Sequence, residues 1–169
     1  TLKTHLGKDH QDVAIIIGQL AGLYVEQGRY EDAEPLYKQS LGIREKTFGA
    51  SSTEFNSELN NLGLLHQAQG RYQDAELLLM QSLGFYKKTL GPSHPDVALI
   101  LGNLAMVYQS QGRYGDAEPL YRQALSIREK AYSPDHPKVA SALNNLGFLY
   151  RAQGRLENAE ALFKQSSSI

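Results

Sequence analysis

The triplet Gln-Gly-Arg begins at Gln27, Gln69, Gln111 and Gln153, 42 residues apart each time, with no insertion between copies. Around it the text recurs: QGRYEDAEPLYKQSL at 27–41, QGRYQDAELLLMQSL at 69–83, QGRYGDAEPLYRQAL at 111–125 and QGRLENAEALFKQSS at 153–167. Residues 10–51 and 94–135 agree at more than half of their positions. A fixed period of this size marks an array of small packing units, and it excludes a fold in which each segment has its own place.

Each unit divides into two helical stretches. In the last one, Val139, Leu143, Leu146, Gly147 and Tyr150 fall on one face at helical spacing, with Pro137 before them and Gly154 after. The second stretch of the preceding unit, from about Gly115 to Ala131, places Ala117, Leu120, Tyr121, Ala124, Leu125 and Ile127 the same way. Pro35 and Pro119 sit near the start of this second helix, where a missing N–H costs at most about one ladder bond. Glu34–Lys38, Glu118–Arg122 and Glu160–Lys164 read as exposed pairs four residues apart, each contributing a few tenths of a kcal/mol. Gly28-Arg29, Gly70-Arg71, Gly112-Arg113 and Gly154-Arg155 are turns too short for anything but antiparallel neighbours. Longer links, FGASST at 48–53, LGPSHP at 90–95 and YSPDHP at 132–137, close the units.

A lone pair of such helices cannot bury its apolar stripe, but stacked pairs can. The expected fold is therefore all-α, an α-α superhelix of about four helix-turn-helix repeats. The chain reads as a single array over 1–169: a tail of a preceding repeat at 1–9, then repeats at 10–51, 52–93, 94–135 and a truncated one at 136–169. Small residues recur at Ala21, Gly63, Ala105 and Gly147 in first helices, and at Ala33, Ala75, Ala117 and Ala159 in second helices. Large ones recur at Tyr24, His66, Tyr108 and Tyr150, and at Tyr37, Leu79, Tyr121 and Phe163. Small against large predicts close interdigitation.

Leu146, Gly147, Tyr150, Gly154, Ala159 and Phe163 together resemble the tetratricopeptide repeat. The 42-residue length, with Ile127-Arg128-Glu129-Lys130 and Gly91-Pro92-Ser93-His94-Pro95-Asp96-Val97-Ala98, resembles the kinesin light chain type. The resemblance covers essentially the whole chain. It implies a solenoid whose first helices line a concave groove that holds an extended peptide or helical segment of a partner protein. With Thr1 in place of Met, Ile169 inside a helix and no polar cap at either end, the chain reads as a piece of a longer array.

In that register a polar ladder runs through Gln19, Asn61, Asn103 and Asn145, extended by Asn60 and Asn144. A carboxamide both donates and accepts, so it can pair with an extended main chain whatever side chains that chain carries. The resemblance implies that such amides hold the peptide backbone; the alternative is that they satisfy neighbouring groups of their own chain. Further along the face come Gly22, Leu64, Met106 and Phe148, as pocket walls or as ordinary packing. Then come Val25, Gln67, Gln109 and Arg151, with a single cation, which is thin for an acidic partner.

No nucleophile elbow, phosphate-binding glycine loop or paired-histidine helix is present, and no catalytic, cofactor or metal site is expected. His10, His94 and His136 recur with the repeat, but packed helices lie about 8–10 Å apart, too far for one ion. The His-Pro pairs read as helix starts. His66 reads as a core variation on Tyr. Arg29, Arg71, Arg113 and Arg155 read as solvated turn residues rather than an anion-binding stripe. The net charge of −1 gives no reason to expect nucleic acid or a membrane surface as partner. No apolar run approaches the roughly 18 residues of a membrane span. The chain has no cysteine, which suits a cytoplasmic setting. The function expected is a protein-interaction scaffold. The alternative is a structural spacer or an array that self-associates through its uncapped ends.

Overall fold

The structure, a computed structural model, describes residues 11–169. The expected tail at 1–9 and His10 lie outside the described residues. Among these, all regular structure is helical: α1 (Gln11–Glu26), α2 (Tyr30–Phe48), α3 (Thr53–Ala68), α4 (Tyr72–Leu90), α5 (Pro95–Ser110), α6 (Tyr114–Ala131), α7 (Pro137–Ala152) and α8 (Leu156–Ser167). The chain forms two compact units, one reaching to Phe85 and one running from Tyr86 to Ile169, so the division falls within α4.

The helix ends follow from local chemistry. His94 and His136 are N-caps. Their Nδ1 atoms accept from the backbone N–H of Asp96 at 3.2 Å and of Lys138 at 3.1 Å, and Pro95 and Pro137 fill the first helical position. Ser52 does the same for α3, accepting from the Phe55 N–H at 3.2 Å. The tight turns close through the glycine. At Gly28, φ is 72°, and the N–H of Arg29 reaches back to the Tyr24 carbonyl at 2.8 Å. Arg71, Arg113 and Arg155 repeat that bond to His66, Tyr108 and Tyr150. A residue with a Cβ would be strained in this left-handed conformation, which is why the triplet keeps its glycine.

In the first unit Ala21, Ala33, Tyr37, Leu62 and Leu65 form one buried cluster, and Val13, Ala14, Ile17 and Ile43 another. In the second unit the cluster is Ala105, Ala117, Tyr121, Leu146, Leu149, Tyr150 and Ala159. The pairing of small with large residues is as the sequence implies. A Cβ on Gly63 would stand 3.0 Å from Leu79 Cγ, and one on Gly147 would stand 2.7 Å from Phe163 Cε1. A second seam is polar. Ser40, Ser82 and Ser166 each donate a hydrogen bond of 3.0 Å to the carbonyl of Ala14, Asn56 and Ala140 on the neighbouring first helix. Each such bond contributes about 0.5–1.5 kcal/mol.

Two of the four turn arginines depart from their sequence-based reading. Arg71 Nη1 lies 3.0 Å from the carboxylate of Glu34, one repeat earlier, and Arg155 Nη1 lies 2.8 Å from Glu118. Lys38 and Arg122 complete the two clusters at 2.6 and 2.9 Å. Glu34 and Glu118 therefore join successive repeats as well as making the helical pairs that the spacing suggested. Within each unit, this cluster ties the later helical pair to the earlier one.

Candidate functional site

In the second unit the residues of α5 and α7 that do not enter the core fall on one face of each helix. On α5 these include Leu99, Asn103, Met106 and Gln109; on α7 they include Ser141, Asn144, Asn145, Phe148 and Arg151. Helical periodicity aligns them because the opposite positions, such as Leu104, Ala105, Leu146 and Gly147, are taken by packing.

Between the two faces lies a cleft of about 430 Å³, lined by Met106, Gln109, Tyr121, Asn145, Phe148 and Arg151 with Ala152. It adjoins a second hollow of about 480 Å³ along α7, bounded by Pro137, Ala140, Ser141, Asn144, Asn145, Phe148 and Ile169. Phe148 is the exposed wall they share. It meets Phe163 edge-on at 5.2 Å and carries the Arg151 guanidinium 5.0 Å above its ring. That contact holds a cation and an aromatic face together at the rim.

Tyr121, from α6, forms part of the cleft lining. It is only 4% exposed, and burial pushes its phenol up to about 12. Its hydroxyl has no hydrogen-bond partner among the described residues. The sequence reading placed Tyr121 in the seam as a filler alongside Leu79 and Phe163. Its ring does fill the seam, and the residue also lines the cleft. The one available signal was that Tyr, at this position, brings a polar end that Leu and Phe lack.

In the first unit the corresponding residues are arranged differently. Gln19 is exposed, and Asn61 and Leu64 are half-buried. Asn60 is 7% exposed and lies beneath the face rather than on it. Asn61 Nδ2 approaches Glu58 Oε2 at 3.5 Å, so this amide is partly engaged by its own chain. Glu58 is 2% exposed, and burial raises its pKa. Met106, Asn145, Phe148 and Arg151 are thus the sequence-derived residues that one cleft brings together. Asn103 stays half-buried on the α5 face, and Asn144 lines the second hollow.

The chemistry on offer is recognition. Carboxamides that donate and accept, one phenol, one guanidinium and two apolar walls suit an extended chain with a side chain to bury. Among the described residues no group of three His, Cys, Asp or Glu side chains is placed to hold a metal ion. No helix among them is long and apolar enough to cross a membrane.

Comparison with known proteins agrees with this architecture. Two family models, both described as tetratricopeptide repeat, match the chain, one over residues 56–130 and 96–169 and the other over 13–54. No curated protein matches it in sequence. Among solved structures, BtubC (BKLC) from P. vanneervenii is similar over 98% of this chain and 66% of its own, at 25% identity and a TM-score of 0.82. The chain thus spans just under two thirds of that relative. Two crystal structures of a Podosopora anserina protein, assigned as a kinesin light chain with nearly identical TPR-like repeats, are also similar. They show 26% and 27% identity and TM-scores of 0.79 and 0.76; 99% of this chain is covered in both, against 79% and 80% of theirs. With family models spanning well over half of its length, the chain belongs to the tetratricopeptide repeat family, and its repeats are of the kinesin light chain-like type.

Proposed function

We propose that the protein is an interaction scaffold that holds an extended segment of a partner protein against its first helices, with α5 and α7 as the main contact. The observation that carries this reading is the cleft that Met106, Asn145, Phe148 and Arg151 line together with Tyr121. Phe148 and Met106 bury a partner side chain. The amide of Asn145 pairs with partner main chain, with Asn103 and Asn144 continuing the contact on either side. In the first unit Gln19, Asn61 and Leu64 hold the equivalent register positions, and Asn61 is already engaged by Glu58. The chain works by binding, in an intracellular setting that its lack of cysteine suits.

The test is a peptide selected from a displayed random library, measured by calorimetry against the protein and against Asn103→Ala with Asn145→Ala. The double variant is expected to keep its melting temperature within a few degrees and to bind at least about tenfold more weakly, the loss of two amide–backbone pairs. Equal affinity would move the site elsewhere. A second reading, self-association, is favoured by Leu77 and Met80 on α4, which are 68% and 52% exposed.

A further inference from the structure

The seam between successive helical pairs is built differently in the two units. In the second unit, between α6 and α7, polar side chains meet across it. Tyr150 donates its hydroxyl hydrogen to Glu118 at 3.0 Å, and Arg155 reaches the same carboxylate at 2.8 Å. Arg128 donates to the Lys138 carbonyl at 3.1 Å. Ala142, buried on α7, brings no polar side-chain atom into the seam.

In the first unit, between α2 and α3, two of those positions carry ionisable groups instead. Glu58 stands where α7 has Ala142, and His66 where it has Tyr150. Both are buried, at 2% and 5% exposure. Glu58 Oε1 and both ring nitrogens of His66 have no hydrogen-bond partner. Among the described residues the only other buried side-chain atom in that state is Gln111 Nε2, in the turn after α5. The nearest groups are committed elsewhere. Arg44 Nε lies 3.6 Å from Glu58 Oε2 and donates to Ser40 Oγ at 3.3 Å, while Ser40 donates to the Ala14 carbonyl. Glu34 lies 3.6 Å from His66 Nε2 and is taken by Lys38, Arg71 and Gln69. Burial raises the Glu58 pKa in spite of Ser40, Arg44 and Asn61, and lowers that of His66 in spite of Glu34. For both groups burial outweighs the favourable neighbours.

A buried polar atom without a partner regains one from water when its surroundings open, and local opening starts at such places. We infer that the first unit has a hinge that the second lacks: α1 with α2 swings away from α3 along their seam, about the Arg71–Glu34 pair at its turn end. Gln19 on α1 and Asn61 with Leu64 on α3 stand on either side of that seam. Its opening therefore sets the spacing of the recognition face in the first unit, while α5 and α7 present theirs preset. This consequence rests on the groove reading; the opening itself does not.

Two experiments on the free protein test this. The chain has no cysteine, so a single introduced thiol reports on the seam around it. Leu65 and Leu149 are equivalent and fully buried. Under native conditions Leu65→Cys is expected to react with a thiol reagent at least about tenfold faster than Leu149→Cys, at a rate that low urea hardly changes. Arg44→Met, Glu58→Met and His66→Tyr together replace the ion pair and the imidazole, and are expected to slow the first thiol to the rate of the second. Equal rates in the two single-cysteine proteins, or a first thiol unmoved by the triple change, overturn the inference. The second experiment leaves the core untouched. Spin labels are placed at the exposed pair Ile15 and Ser57, on α1 and α3, and at the equivalent exposed pair Leu99 and Ser141, on α5 and α7. The first pair is expected to show a broader distance distribution with a second, longer population, and the second pair one narrow peak. Equally narrow distributions overturn the hinge and leave the groove reading standing.

Discussion

At the scale of single residues, the clearest departure from the repeat is His66. In the second unit the equivalent Tyr150 donates its hydroxyl hydrogen to Glu118 Oε1 at 3.0 Å. In the first, His66 Nε2 stands 3.6 Å from Glu34 Oε1, beyond hydrogen-bond distance, and neither ring nitrogen has a partner. Burial, reinforced by the nearby Arg71 charge, lowers the imidazole pKa, and these effects outweigh the pull of Glu34 toward the charged form. The folded state therefore holds His66 neutral, while the unfolded chain protonates it near pH ~6.5. Its contribution to stability is present above that pH and is lost as pH falls below it. Scanning melts between pH 7.5 and 5.5 are expected to show a falling melting temperature. His66→Tyr is expected to remove that slope and to stabilise by about 1–2 kcal/mol through the new hydroxyl–carboxylate bond. An unchanged slope would place the titration elsewhere. Packing at this scale is equally strict. Ala117 is fully buried against Tyr121 and Tyr150, and Ala117→Leu is expected to destabilise by ~1–3 kcal/mol in a thermal melt.

At the scale of elements, what joins one helical pair to the next within a unit is a carboxylate that serves three partners. Glu34 receives Lys38, Arg71 and Gln69, and these bonds, the one from Lys38 foremost, hold its pKa down at about 2. Burial opposes ionisation of Glu118, yet Arg122, Tyr150 and Arg155 together keep it below the usual carboxylate range. Glu160 has only Lys164, with both side chains well exposed. Glu118→Ala is accordingly expected to cost about 1–2 kcal/mol in urea unfolding, and Glu160→Ala is expected to leave the unfolding midpoint almost unmoved. Equal costs would reduce Glu118 to a surface pair. The sequence made the four-residue pairs legible, because helical spacing is a property of one element. It could not show the partners 37 residues away, since those depend on how repeats stack. The same limit applies to the serines that bond across 26 residues. By contrast, the helix starts at His94 and His136 were legible, because a cap is decided within three residues.

At the scale of the whole molecule, the period sufficed for the fold class, since only an array of helical pairs satisfies it with these glycines and small residues. The binding face was legible in its register, and less so in which members work: Asn60 is buried, Asn61 leans on Glu58, and Tyr121 was hidden in the seam pattern. Register shows which residues share a face, but access depends on what a neighbour of different size leaves uncovered. The same reasoning bears on association. Leu77 and Met80 occupy positions where the first and third repeats have Pro35 with Lys38 and Pro119 with Arg122. They form an apolar spot on α4, and with a net charge of −1 the chain has little repulsion to keep copies apart. Two side chains fall far short of the roughly 1,200–2,000 Å² that a stable interface buries. Light scattering over a wide concentration range is therefore expected to give a constant mass of 18.8 kDa, unchanged by Leu77→Lys with Met80→Lys. A mass that climbs with concentration, and is returned to the monomer value by those two lysines, would make self-association through α4 the leading function and the cleft at Tyr121 secondary.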